Sequence, residues 1–244
     1  VSLNQDSSIS GNSAYNGGGI FAHTQNFIEL NDQSRISGNI AENGGGIWSS
    51  DSSTVSLNDH SSISGNGATY GGGIYNYYGS TVRLSGQSNV AENVATYGGG
   101  VYNLDNSFVH LFENGCIGNN SAIWGGGIYN NFRSTVNLFD SSNMRGNTAY
   151  EGGGIYNLDN STVNLYSNVH ICNNTAARGG GIFNGYNSTV NLISGSIEHN
   201  SATLPSPSGG GIYNLGNLFG DLNMVHNNSP DEIGPTSVDW LPVL

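Results

Sequence analysis

A Gly-Gly-Gly triplet recurs through this chain at a fixed interval. The triplets begin at Gly17, Gly44, Gly71, Gly98, Gly125, Gly152, Gly179 and Gly209, and the first seven are spaced by 27 residues. Self-similarity at such a period marks a solenoid, whose repeats cannot bury their apolar faces singly and must stack. The last gap is 30 residues, because Leu204-Pro205-Ser206-Pro207-Ser208 carries an insertion and the preceding turn lacks one residue.

Aligned on the triplet, the copies fall into columns. Ile or Val follows it, from Ile20 to Ile212. An aromatic residue comes next in every copy: Phe21, Trp48, Tyr75, Tyr102, Tyr129, Tyr156, Phe183 and Tyr213. Asn then dominates, as at Asn76 and Asn103. Further on come Thr-Val-x-Leu, as in Thr135 to Leu138, and an Ile-x-x-Asn-x-Ala block, as in Ile36 to Ala41. Each run alternates apolar and polar residues, the period-2 signature of a strand. One repeat therefore reads as one coil of three short strands, and stacking at the inter-strand spacing gives an all-β parallel β-solenoid of about nine coils, ~43 Å long. Parity sends the Ile, Val, Leu and Ala to the axis and the aromatic column outward, while Asn and Gly form the corners.

Composition agrees. Gly is abundant and charged residues are scarce, and Gly, Asn, Ser and Thr are poor helix formers. The net charge is −12 and all basic residues are Arg: Arg35, Arg83, Arg133, Arg145 and Arg178. Nucleic acid and anionic membranes are thus excluded as expected partners, since both need clustered basic surface. No apolar run approaches the ~20 residues of a membrane span.

The paired blocks Ile36-Ser37-Gly38-Asn39 and Gly71-Gly72-Gly73-Ile74-Tyr75-Asn76 resemble the Phe-x-x-Asn and Gly-Gly-Ala-Ile repeats of chlamydial polymorphic outer membrane proteins and related adhesin-like β-helix proteins. The resemblance covers residues 1 to about 234, with Ile in place of the motif Phe. It implies a right-handed parallel β-helix outside the cell, with adhesive or structural roles. Such motifs specify fold far better than function.

Several residue sets are candidates for chemistry. The eight aromatic residues predict an outward stripe ~34 Å long, suited to a neighbouring rod or to sugar rings. Thr54, Thr81, Thr135, Thr162 and Thr189 form a second outward ladder, an arrangement similar to ice-binding solenoids, although Thr is also an ordinary strand residue. Asp32, Asp59, Glu113 and Asp140 share a column, and Asp32 with Asp59 makes a weak Ca²⁺ candidate against the alternative of hydrated turn carboxylates. Asp51, Asp105 and Asp159 lie two coils apart, a separation compatible with inverting hydrolysis but explained by repetition alone. His23, His60, His110, His170, His199 and His226 fall in scattered columns without metal-ligand spacing. Cys116 and Cys172 lie about two coils apart, too far for the ~5.5 Å Cα separation of a disulfide. Sequons begin at Asn119, Asn160, Asn173, Asn187 and Asn227 and permit glycosylation of an exported chain.

The ends differ from the body. Residues 1–229 read as the β-helix and 230–244 as a non-repetitive tail, with Trp240, Leu241, Val243 and Leu244 apolar. Val1 and Leu3 open in mid-repeat without a polar cap, so head-to-tail contact between the tail and the first coil of another copy is expected. The expected function is an extracellular, non-enzymatic structural or adhesive solenoid that needs no cofactor and self-associates into a filament or surface fibre. The alternative is a carbohydrate-binding or polysaccharide-cleaving β-helix.

Overall fold

The computed structural model describes residues 1–235. All pairing between strands is parallel, and partners lie one coil apart. Four faces follow in chain order. The Thr-Val face has nine strands, from Ser2–Leu3 through Thr135–Leu138 to Asn217–Gly220. The Ile face also has nine, from Ser8–Ser10 through Arg35–Ser37 to Val225–His226. A short face holds Ser13–Asn16, Ile40–Asn43, Gly67–Tyr70 and Val94–Tyr97, continues through single bridges such as Val94 to Ser121, and ends in the strand pair Thr175–Ala176 and Ser201–Ala202. The aromatic face has eight strands, from Ile20–His23 to Ile212–Asn214.

The Ile-x-x-Asn-x-Ala run, read from sequence as one strand, is thus folded into two segments. Gly38, Gly65 and Gly146 break it with φ of +64°, +64° and +66°. The left-handed turn is what lets the next residue, Asn39 or its equivalent, point inward.

The core is a column of Ile, Val, Leu and Met from three faces. Ile47, Val55, Leu57, Ile63 and their equivalents in neighbouring coils are fully buried. The expected Ala of the third run lies outside this column: Ala41 is buried on the short face and Ala68 only half-buried. Four apolar side chains per coil make a thin core, so hydrogen bonding must hold much of the rest.

Asn supplies it in two buried ladders. Asn66 donates its side-chain amide to Asn93 Oδ1 at 3.0 Å and to the Ile36 carbonyl at 3.1 Å, while Asn93 Oδ1 also accepts the Asn66 backbone N–H at 2.9 Å. The pattern repeats from Asn39 to Asn228. The second ladder runs Asn76, Asn103, Asn130, Asn157, Asn184 and Asn214, with amide-to-carbonyl steps of 2.7–2.9 Å. Ser takes the adjoining corner, where the Ser53 backbone N–H donates to Ser80 Oγ at 3.1 Å. Buried amides and N–H groups are costly unless paired, and here identical neighbours pair them.

The triplet corner needs three glycines for two reasons. Gly44 has φ +64°, a conformation without penalty for Gly alone. A Cβ on Gly45 or Gly46 would lie 2.5 Å or 2.6 Å from a carbonyl oxygen of the next coil, so these two set how closely coils approach.

Register survives the irregular turn. Cys172 pairs with Glu198, 26 residues on, and Ile182 then pairs with Ile212, 30 residues on. The Leu204–Ser208 insertion is absorbed outside the strands. Bridging continues beyond residue 229, through Ile212 to Ile233.

Candidate functional site: the aromatic ladder and the outer faces

The eight ladder residues stack as one row along the aromatic face. Neighbouring ring centroids are 4.5 Å apart for Phe21–Trp48, 6.4 Å for Trp48–Tyr75, 5.1 Å for Tyr75–Tyr102 and 5.0 Å for Tyr102–Tyr129. Tyr156, Phe183 and Tyr213 continue the row at 5.3, 4.7 and 5.2 Å. In-register parallel strands enforce this, because each ring sits one inter-strand step above the last.

The row is less open than parity suggests. Phe21 is 54% exposed, but Tyr102, Tyr129 and Phe183 are only 9%, 8% and 6% exposed. In the middle coils the residue just before the triplet covers the ladder. Tyr70, Tyr97 and Trp124 form a second stack, with centroids 5.1 and 4.7 Å apart. Tyr70 and Tyr97 stand edge-on to the ladder, Tyr70 over Tyr102 at 5.4 Å and Tyr97 over Tyr129 at 5.6 Å. In the following coils the covering column becomes Glu151 and Arg178, which form an ion pair, and the Arg178 guanidinium lies 5.5 Å from the Tyr213 ring. Burial pushes the Tyr75 and Tyr129 phenols up to about 12, with Tyr77 and Tyr70 adding to the shift at Tyr75. It also raises Tyr102 and Tyr156, the latter with help from the Glu151 carboxylate.

The other candidates fall into place as turn or face residues. Asp32, Asp59, Glu113 and Asp140 all have φ between 45° and 58°. Asp32 accepts the Gln5 N–H at 2.8 Å and Asp59 the Asp32 N–H at 3.3 Å, so each serves the backbone of the preceding coil. Among the described residues, no group of three or more His, Cys, Asp or Glu side chains is arranged to hold a metal ion. Asp51, Asp105 and Asp159 are likewise left-handed turn residues. The Thr residues of the Thr-Val face are half-buried and lie beside Asn137, Asn164 and Asn191, which bond to one another at 2.8 and 2.7 Å. Phe27 and Phe108 interrupt the Thr row as exposed rings.

Three His residues that look scattered in sequence meet at Glu198. Its carboxylate accepts from Ser196 Oγ at 2.8 Å and lies 3.6 Å from His170, 3.6 Å from His199 and 3.9 Å from His226. The Ser196 hydroxyl, then His226, His199 and His170, hold its carboxyl below the usual range. The shortened turn before Asn200 hides this meeting in a linear reading, because it moves these residues off the 27-residue register. Cys116 and Cys172 are both free, and burial raises both thiols.

Asn119, Asn160, Asn173, Asn187 and Asn227 are all exposed and left-handed, with φ between 56° and 62°. Val1 places its terminal amine 2.7 Å from the Phe27 carbonyl, and Leu3 is buried in the core. Trp240, Leu241, Val243 and Leu244 lie outside the described residues.

With this geometry in hand, comparison with known proteins adds one relationship. The family model for the Chlamydia polymorphic membrane protein (Chlamydia_PMP) repeat matches residues 6–23. That span holds Ile9 to Asn12 and the first Gly-Gly-Gly-Ile, one copy of the paired motif that recurs along the chain. Among curated proteins and solved structures, nothing matches. The chain resembles polymorphic membrane protein repeats and folds as a parallel β-solenoid, which fits an adhesin-like surface protein. Among the described residues, no helix is long and apolar enough to cross a membrane.

Proposed function

We propose that this chain is a non-enzymatic structural and adhesive rod of the extracellular surface, acting through its outer faces and associating with copies of itself. The observation that carries this reading is a set of exposed apolar side chains on the short face. Ile40, Val94, Ile123 and Tyr150 are all exposed there, and Tyr150 donates its N–H to Ile123 on the neighbouring coil. The strictly repeated residues are consumed by stacking: Ile, Val and Leu in the core, Asn in ladders, Gly at the corner. Exposed apolar side chains on one face serve no such purpose, and apolar surface of this kind marks contact sites. The acidic residues that could suggest hydrolysis occupy left-handed turns, where Asp is a common choice for backbone reasons.

Sedimentation and electron microscopy of the full chain test self-association. Side-by-side packing predicts assemblies that Ile123→Ser with Tyr150→Ser disperses. Head-to-tail stacking predicts filaments that survive those substitutions. A chain that stays monomeric at high concentration would overturn the self-association reading.

A further inference from the structure

On the Ile face the outward columns change character in mid-rod. One column reads Ser10, Ser37, Ser64, Ala91, Gly118 and Arg145, and its neighbour Asn89, Cys116 and Asn143. The shrinkage to Ala91 and Gly118 just before Arg145 leaves a groove of about 570 Å³. Its floor is these two columns and its rims are the turns at Gln87 and Asn114 and at Asn119.

Two features of this groove together point to a ligand. Many Asn side chains are spent in ladders, as at Asn39, Asn66 and Asn93. Among the described residues, the side chains of Gln87, Asn89, Asn114 and Asn119 make no hydrogen bond to protein, yet all four line one hollow. Arg145 is exposed and forms no ion pair among the described residues, in a chain of net charge −12. Glu92 and Glu113, next to Ala91 and Asn114 in sequence, leave it unpaired as well.

Each free amide offers a carbonyl acceptor and two N–H donors, the complement of a hydroxyl that both gives and takes a proton. The guanidinium offers the planar fork that matches a carboxylate. The groove has no aromatic or large aliphatic lining, so it offers nothing to an apolar ligand. A ligand rich in hydroxyls and carrying one carboxylate satisfies all of these groups together. We propose that the groove is a binding site for a uronic-acid saccharide, with Arg145 on the sugar carboxylate and the amides of Gln87, Asn89, Asn114 and Asn119 on its hydroxyls. The site does not depend on self-association, which uses a different face.

Calorimetric titration of the full chain with oligogalacturonate, its methyl ester and sodium acetate tests this. The acidic oligomer is expected to bind, weakening as salt rises, while the neutral ester and acetate bind at least about tenfold more weakly. Arg145→Gln should cost about tenfold or more in affinity. Asn119→Asp should weaken binding too by setting a second carboxylate at the rim; its left-handed turn tolerates Asp, as at Asp32 and Asp59. Both variants should keep the parent melting temperature, which separates lost binding from lost fold. The proposal is overturned by no binding of the acidic oligomer at about 10 mM, by equal binding of ester or acetate, or by full affinity in folded Arg145→Gln.

Discussion

Asn93 Oδ1 accepts the side-chain amide of Asn66 at 3.0 Å across the gap between two coils. Asn93 in turn donates to the Ile63 carbonyl at 3.0 Å and to Asn120 Oδ1 at 3.0 Å. One buried side chain therefore serves three coils. Asn93→Ala would leave the Asn66 N–H, the Ile63 carbonyl and the Asn120 carbonyl oxygen without these partners, at about 1–3 kcal/mol for each group left buried and unpaired. We expect a loss of at least about 3 kcal/mol in denaturant unfolding. Asn93→Asp should not rescue it, since a carboxylate still accepts from Asn66 but has no proton for Ile63 or Asn120. Stability within about 0.5 kcal/mol of the parent, typical of a plain surface change, would mean that the ladder is not what holds the coils in register.

Glycines in this chain divide into two kinds that a melting experiment separates. Gly65 has φ +64° but a Cβ there meets nothing within 4 Å, so Gly65→Ala carries only the left-handed penalty of about 1–2 kcal/mol. Gly72 is not left-handed, yet a Cβ there would sit 2.5 Å from the Gly99 carbonyl oxygen and 2.7 Å from that of Val94. Backbone must move to admit it, and Gly72→Ala should cost about 3 kcal/mol or more by overpacking. The ranking is the test. Equal melting temperatures for the two variants would show that coil approach at the triplet is not tight.

How much of this was legible depends on whether a column repeats. The triplet, the Ile after it, Val55 with Leu57, and the Asn39 ladder each recur every coil, so spacing alone placed them. The ladder from Phe21 to Tyr213 was legible as a row but not as a covered one. Its cover comes from the position before the triplet, which reads Asn43, Tyr70, Tyr97, Trp124, Glu151 and Arg178 in successive coils and so carries no periodic signal. The split of the Ile-x-x-Asn-x-Ala run did leave a trace, the Gly at 38, 65 and 146, whose left-handed turn cannot lie inside a regular strand. The groove at Arg145 and the His cluster at Glu198 arise where columns depart from their own consensus, and a reading built on sameness passes over them.

The buried phenols make the rod sensitive to alkali in a defined window. Tyr129 is raised to about 12 chiefly by burial, against a partly offsetting hydrogen bond from Asn131. Above the ordinary phenol value the unfolded chain loses this proton while the folded chain keeps it. Stability is therefore fully present below about pH 10 and falls as pH rises toward 12, by up to about 2 kcal/mol for one such group. Absorbance titration should show a late phenolate step that coincides with loss of the β circular dichroism signal. Tyr129→Phe should reduce the slope of stability against pH in that window. An unchanged slope would mean that Tyr129 ionises as an exposed phenol does.

Glu151 and Arg178 occupy the covering column that upstream coils fill with Tyr97 and Trp124, and the substitution suggests that an ion pair and an aromatic pair are alternative lids for the same ladder. Glu151 is buried, and Arg178 rests against Tyr213. Removing one partner by Arg178→Met leaves the Glu151 carboxylate without its counter-ion and takes the guanidinium off the ring, a loss of about 1–3 kcal/mol once partial exposure of the arginine is allowed for. Replacing both, as Glu151→Tyr with Arg178→Tyr, removes the buried charge and extends the stack begun by Tyr70, Tyr97 and Trp124. Apolar replacements of buried ion pairs are often neutral or stabilising. The double variant should therefore equal or exceed the parent in unfolding free energy while Arg178→Met falls below it. A double variant less stable than Arg178→Met would show that the later coils cannot seat aromatic rings before the triplet, and that the ion pair is the lid their geometry requires.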